Sequence, residues 1–106
     1  IFTNWDDDWY LGDRIQHADF ERAHHELLAL MAPRPFFLVG GEADCPASWH
    51  YILEAQRVYA LHGRAHGAGF FHHAAGHRPT EQAMRLAYGW LAEQFGLDID
   101  LAAIQL

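Results

Sequence analysis

Two side chains suited to acid–base catalysis each follow one of the most apolar short runs in the sequence. Asp44 comes shortly after "PFFLVGG", and His77 lies in "FFHHAAGHRPT". If both runs are parallel strands, these side chains share the sheet edge where ligands collect in open α/β folds. There a carboxylate can orient an imidazole and stabilise its protonated form. Asp44 and His77 are therefore the candidate acid and base, although both residue types are also common in loops without a catalytic role.

An acid–base pair of this kind serves a nucleophile, and the sequence offers no well-placed one. No G-x-S-x-G turn occurs, and Ser48 is the only serine. Ser48 stands where a helix N-cap is expected, after a strand that the nucleophile should precede. Cys45 is the alternative nucleophile of a Cys–His hydrolase, but the neighbouring carboxylate of Asp44 disfavours a reactive thiolate.

Histidine is also a common metal ligand, and the chain has nine histidines. His73 and His77 with Asp44 would make a three-ligand site. His72 and His73 cannot both bind one ion from a regular strand, because adjacent side chains point to opposite faces. H-E-x-x-H spacing does not occur. A metal site stays an alternative, and the main hypothesis requires no metal and no cofactor.

The elements that must position these residues alternate along the chain as helix, strand, helix, strand, helix. The first helix is predicted in "DFERAHHELLALMAPRP", with a cap near Asp19 and an end at Pro33. "SWHYILEAQRVYALHG" predicts a second helix that ends near Gly63, and "PTEQAMRLAYGWLAEQF" a third that ends at Gly96. The residues predicted to share one face of each helix are Ala23, Leu27, Leu30 and Met31 in the first helix, Trp49, Ile52, Leu53, Gln56 and Tyr59 in the second, and Met84, Ala87, Tyr88, Leu91 and Phe95 in the third.

The two predicted strands, "PFFLVGG" and "GAGFFHHA", are joined by a helical crossover, which predicts a right-handed βαβ unit with parallel strands. We expect one partial domain over residues 1–106, with an irregular acidic and aromatic segment (1–20), the strands and helices (21–96) and a tail (97–106). Two strands with three helices cover a parallel sheet poorly. The chain is therefore expected to be the end of a longer domain or to self-associate through its unpaired sheet edge.

Composition excludes several classes of protein. The net charge of −7, with no lysine and seven scattered arginines, argues against nucleic-acid binding. The apolar runs are too short for a membrane span, so no membrane association is expected. Cys45 is the only cysteine, which excludes an internal disulfide and favours a reducing compartment such as the cytoplasm without deciding it. The segment "NWDDDWY" fits a solvated acidic loop anchored by tryptophan, with a cation or sugar site as the alternative.

Three stretches together resemble a known family. "HHELLALMAPRPFFLVGGEAD", "EAQRVYALHG" and "FFHHAAGHRPTEQAMRLAYGWL" are similar to the C-terminal part of α/β-hydrolase-fold esterases, in the dienelactone-hydrolase-like and acetyl-xylan-esterase-like branch. The glucuronoyl-esterase-like hydrolases are similar in the first stretch. The resemblance covers about His24 to Leu97. It implies that the two strands are the last two of an eight-stranded sheet, with Asp44 as the triad acid and His77 as the base.

The resemblance further implies a Ser–Asp–His enzyme that cleaves carboxylic esters of small molecules or carbohydrates. Its serine and oxyanion hole would lie upstream of Ile1, and the chain does not begin with Met, which favours a processed product or a fragment. The chain alone is then expected to be inactive. Relatives often carry an acid where Ala23 stands. In some relatives the triad acid follows an earlier strand, which leaves the acids of "DDD" (Asp6, Asp7 and Asp8) as alternatives to Asp44.

A rival function is a non-catalytic α/β module that binds a partner through its sheet edge and apolar helix faces. The coding sequence upstream of Ile1 separates the two hypotheses. A strand, a G-x-S-x-G turn and a helix there would favour the hydrolase, and a start codon just before Ile1 would favour the module.

Overall fold

A two-stranded parallel sheet lies between helices in the computed structural model, which describes residues 12–42 and 48–106. Along the described chain, a short 3-10 helix (Gly12–Gln16) comes first, followed by α1 (His24–Ala29), β1 (Phe36–Gly40) and α2 (Ser48–Leu61). Then come β2 (Ala68–His72), α3 (Glu81–Phe95) and a second 3-10 helix (Leu101–Ala103). The predicted order of helices and strands is confirmed. The two 3-10 helices lie in segments for which the sequence predicted no element.

The strands β1 and β2 pair in parallel, in the register that sets Phe36 opposite Ala68 and Gly40 opposite His72. Helix α2 makes the crossover between them, as the βαβ pattern predicted. Because parallel strands point the same way, the segments that follow Gly40 and His72 leave the sheet at one edge. The chain is therefore a small α/β fold, and its candidate site residues follow the carboxyl ends of both strands.

One face of the sheet packs against α2. Alternation along the strands puts Phe36 and Leu38 on this face, where they pack against the fully buried Ile52 and Tyr59 of α2. The Tyr59 hydroxyl donates a hydrogen bond to the Arg34 carbonyl at 2.6 Å. Burial of an apolar ring whose hydroxyl has a partner is favourable, and burial raises the pKa of Tyr59. This cluster is the main core of the domain.

The opposite face of the sheet packs against α3. The Phe37 ring lies against Trp90 of α3, with ring centroids 5.1 Å apart. Helix α3 begins after Thr80, whose hydroxyl accepts a hydrogen bond from the Ala83 amide at 3.2 Å, and it ends at Gly96 in the left-handed conformation (φ 64°). The predicted end at Gly96 is confirmed, and so is the turn at Gly63 after α2 (φ 70°).

Helix α1 differs from its prediction at both ends. It begins at His24, not near Asp19, because the Glu26 carboxylate accepts the Ala23 amide hydrogen at 2.9 Å and takes over the capping role. It ends at Ala29, and hydrogen-bonded turns lead from there towards Pro33.

The predicted apolar faces of the helices are only partly buried. In α1, Leu28 packs on the core, whereas Leu30 is 77% exposed. In α3, Ala87 is buried, whereas Phe95 is 63% exposed. The described sheet has only two strands, and part of the apolar face of α3 remains uncovered. Other predicted residues that remain exposed are Leu27, Met31, Trp49, Leu53 and Tyr88.

The C-terminal tail packs on α3. The guanidinium of Arg85 donates hydrogen bonds to the carbonyl oxygens of Leu101 and Ile104, and it also pairs with Glu81. The Asp100 carboxylate accepts the Ala102 amide hydrogen at 3.0 Å and so caps the second 3-10 helix. The tail for which the sequence predicted no element therefore has a defined place.

Candidate functional site

The segments that follow β1 and β2 touch each other at the carboxyl edge of the sheet. The pairing continues one residue beyond the strands, because the His73 amide donates to the Gly40 carbonyl at 3.0 Å. A β-carbon built on Gly41 would lie 2.7 Å from the carbonyl oxygen of Gly76. The two backbones are thus so close that residue 41 has no room for a side chain. The sequence carried a signal for this approach, the glycine pair that closes the first strand, but its significance was missed.

His77 directly follows this contact. It lies in the connection between β2 and α3, next to Gly76, and its side chain is exposed. An exposed imidazole at the carboxyl edge is open to a ligand that approaches this end of the sheet. The small residues Ala74, Ala75 and Gly76 that precede it are exposed as well, and they leave the approach unobstructed.

The other half of the predicted pair lies outside the described residues. Asp44 and Cys45 fall between the described ranges, and the alternative acids at 6–8 precede them. Their predicted roles therefore stay predictions. The flanking residues are described: Gly41 lies against the loop that carries His77, and Ser48 is the first residue of α2.

His72 links the two segments to each other, and His73 makes a hydrogen bond within its own segment. The Nε2 atom of His72 lies 3.0 Å from the Gly41 carbonyl oxygen. A carbonyl oxygen can only accept, so Nε2 must carry the hydrogen. The Nδ1 atom of His73 accepts the Ala75 amide hydrogen at 3.2 Å, across a turn in which Ala74 is left-handed (φ 55°). A left-handed alanine is uncommon, and this hydrogen bond stabilises the turn.

An open aromatic cleft of about 380 Å³ lies beside these segments and is lined by Trp49, Phe70, Phe71 and His72. The Trp49 and Phe70 rings are close to parallel, at 24°, with centroids 6.1 Å apart. The His72 ring follows, with its centroid 6.2 Å from that of Phe70. The cleft thus offers flat apolar surfaces next to the end of β2, which suit a ring or an acyl chain.

Metal binding has no support from the part of the chain that the structure describes. Within residues 12–42 and 48–106, no three His, Cys, Asp or Glu side chains are arranged to hold an ion. The predicted set of His73, His77 and Asp44 includes a residue outside these ranges, so it stays untested. Within the same ranges, no helix is both long and apolar enough to cross a membrane.

Comparison with known proteins does not extend this picture. The chain matches no family model, no curated protein and no solved structure. The fold and the site geometry together define a small α/β domain with two parallel strands, whose post-strand segments meet at one edge.

Proposed function

We propose that this chain supplies the acid and the base of an α/β-hydrolase-fold serine esterase, with Asp44 as the acid and His77 as the base. The substrate would be a carboxylic ester of a small molecule or a carbohydrate, and the nucleophilic serine would belong to polypeptide outside these 106 residues. The observation that carries the proposal is the contact between the two post-strand segments, at Gly41 and Gly76.

Chain connectivity turns this contact into a distance limit. Asp44 is three residues from Gly41, and three residues of extended chain span at most about 11 Å. His77 adjoins Gly76, whose carbonyl oxygen lies against Gly41. The acid and the base are therefore joined to this contact by short segments, which is compatible with the carboxylate–imidazole hydrogen bond that the proposal requires.

In the proposed reaction His77 takes the proton from the serine hydroxyl as the ester carbonyl is attacked, and it returns that proton to the leaving alcohol. Asp44 holds the imidazole in the required tautomer and stabilises the imidazolium that forms. These steps require no metal and no cofactor. They do require an imidazole that is accessible to the substrate, and the exposure of His77 meets this requirement.

The proposal is tested on the 106-residue chain and on the longer protein that it requires the gene to encode. We expect the 106 residues alone not to hydrolyse 4-nitrophenyl acetate above background. We expect the longer protein to contain a G-x-S-x-G turn upstream, to hydrolyse the ester and to react with a fluorophosphonate probe. His77→Gln should lower its kcat by several orders of magnitude, because the triad members act as a unit.

The matched control is His62→Gln, which removes an exposed imidazole beyond the end of α2. This variant should retain full activity. Turnover by the 106 residues alone that His77→Gln abolishes would show that the nucleophile is within the chain. Equal activity of the two variants in the longer protein would remove His77 from the mechanism.

A second candidate, the non-catalytic interaction module, is favoured by the exposed apolar surface. Leu61 is 85% exposed, and a cleft of about 390 Å³ between α3 and the tail is lined largely by apolar side chains that include Leu91 and Phe95. Such surfaces mark contacts with other polypeptide. Light scattering over a concentration series tests self-association. The interaction module would be supported by a dimer whose association is weakened by Phe95→Ser but not by Glu93→Gln. If the chain is a monomer at every concentration, self-association is excluded.

A further inference from the structure

The His72 side chain bridges the two segments on which the proposed site depends. His72 is the last residue of β2 and pairs with Gly40 in the sheet register. Its ring is half-buried on the side of Phe70, and its Nε2 atom is 3.0 Å from the carbonyl oxygen of Gly41. This hydrogen bond links the end of one strand to the first residue after the other, where the regular ladder stops.

Gly41 is thereby held from two sides. The His72 ring engages its carbonyl group, and the carbonyl oxygen of Gly76 lies against its α-carbon. The segment from 73 to 76 has its own brace, the hydrogen bond from the Ala75 amide to the His73 ring. A shift of Gly41 would therefore be transmitted to Gly76, and His77 is the next residue.

We infer that His72 is a positioning residue of the proposed site, because its Nε2–H···O=C bond to Gly41 holds the post-β1 segment against the loop that carries His77. The inference rests on the proposed function only for the role of His77 as the base. The hydrogen bond between His72 and Gly41 is given by the geometry alone. The proposed role of His72 is only to donate a hydrogen bond from Nε2 to the Gly41 carbonyl oxygen. Neutral Nε2–H imidazole and imidazolium both donate from Nε2, so the bond survives protonation, whereas a catalytic base at His77 must be neutral to accept a proton.

The first measurement uses the unmodified 106-residue chain. Nitrogen-15 NMR of the imidazole rings at a pH where His72 is neutral reports which ring nitrogen carries the hydrogen. We expect the Nε2–H tautomer for His72. A neutral His72 ring with its hydrogen on Nδ1 would overturn the inference. Because the measurement uses the wild-type chain, it does not depend on the folding of a variant.

The second measurement compares two substitutions. His72→Phe retains a flat ring without a donor, and His72→Gln places an amide N–H near the position of Nε2. Loss of one neutral hydrogen bond should speed hydrogen exchange of the His73 amide about fivefold in the phenylalanine variant. The ring signals of His77 should shift in the same variant. The glutamine variant should restore both towards the wild type.

Two controls separate a local effect from general destabilisation. The Met84 amide donates to the Thr80 carbonyl at 3.0 Å in the first turn of α3, and its exchange should be unchanged. His66→Gln removes an exposed imidazole before β2 and should change none of these signals. Equal behaviour of His72→Phe and His72→Gln, or unchanged His77 signals in both, would overturn the inference. None of these readouts uses ester turnover, so failure of the proposed function is observed separately, by the serine probe on the longer protein.

Discussion

Replacement of Gly41 by alanine tests the contact between the two post-strand segments most directly. The new methyl carbon would lie 2.7 Å from the Gly76 carbonyl oxygen and 3.5 Å from that of Ala75. Ordinary contacts of this kind begin several tenths of an ångström further out, so the backbone at 75–76 or at 41 must move. The obstacle is backbone, not the end of a flexible side chain. Relief by a rotamer change is therefore not available.

The expected cost follows from overpacking, which typically destabilises a protein by about 1–3 kcal/mol. For a domain of this size, each 1 kcal/mol corresponds to a fall of roughly 4–8 °C in Tm. A shift of Gly41 also perturbs its hydrogen bond from the His72 ring, which pushes the cost towards the upper part of this range. We expect Gly41→Ala to lower the free energy of unfolding measurably in urea and in thermal melts.

Gly76→Ala is the matched control. A β-carbon built on Gly76 meets nothing within 4 Å, and Gly76 is not among the residues with positive φ. Both substitutions remove the same flexibility from the unfolded chain, which stabilises by about 0.4–1 kcal/mol, so this effect cancels in their difference. The difference between the two variants isolates the steric clash. If Gly41→Ala is as stable as Gly76→Ala to within about 0.5 kcal/mol, the segments do not touch as described, and the reasoning about the site fails.

Three further predictions concern the core and the helix ends. Tyr59→Phe removes the hydrogen bond to Arg34 and should cost about 1 kcal/mol in urea unfolding at pH 7. Because the pKa of Tyr59 is raised in the folded state, its contribution to the free energy of unfolding is present below pH 10 and is lost as pH rises through the folded-state pKa. If the free energy of unfolding of Tyr59→Phe declines equally above pH 10, this explanation is contradicted. Glu26→Gln should destabilise the protein at pH 7, because the hydrogen bond from Ala23 lowers the pKa of Glu26. This stabilisation is lost as pH falls through the folded-state pKa, so the difference in stability from the wild type should shrink on acidification; a difference that stays constant as pH is lowered would refute it. Thr80→Ala should cost about 1 kcal/mol as the α3 N-cap is lost, with reduced helicity by circular dichroism, and unchanged stability would show that the cap contributes nothing.

Local chemistry made several elements predictable. The strand "PFFLVGG" is a continuous apolar run closed by glycines, and the last helix has a Thr80 cap and a Gly96 stop within its own sequence. Parallel pairing followed because a helical crossover returns the chain to the end of the sheet where the first strand began, so both strands run in the same direction. These features depend on residues close together in the chain, so periodicity and capping patterns reveal them.

The differences in the first helix have two causes, one that depends on distant residues and one that is local. Leu30 belongs to the predicted apolar face of the first helix, yet the side chain that packs on the core is Leu28, because the docking of α1 on α2 decides which side of a short helix faces the core. The start of that helix was also misjudged, because the cap comes from the Glu26 side chain inside it. When a helix such as α1 has apolar residues on more than one side, its sequence does not show which side will pack against the core.

The sequence by itself determined the order of the three helices and two strands and that His77 follows the second strand, because these depend on composition, spacing and chain order. Only the tertiary structure decided that Gly41 lies against Gly76 and that the His72 ring donates to the Gly41 carbonyl. Residues 41 and 76 are far apart in the chain, and their approach depends on the register of β1 against β2. A strand as uniformly apolar as β1 lacks the alternation of apolar and polar residues that specifies register, so the packing of the two sheet faces decides it.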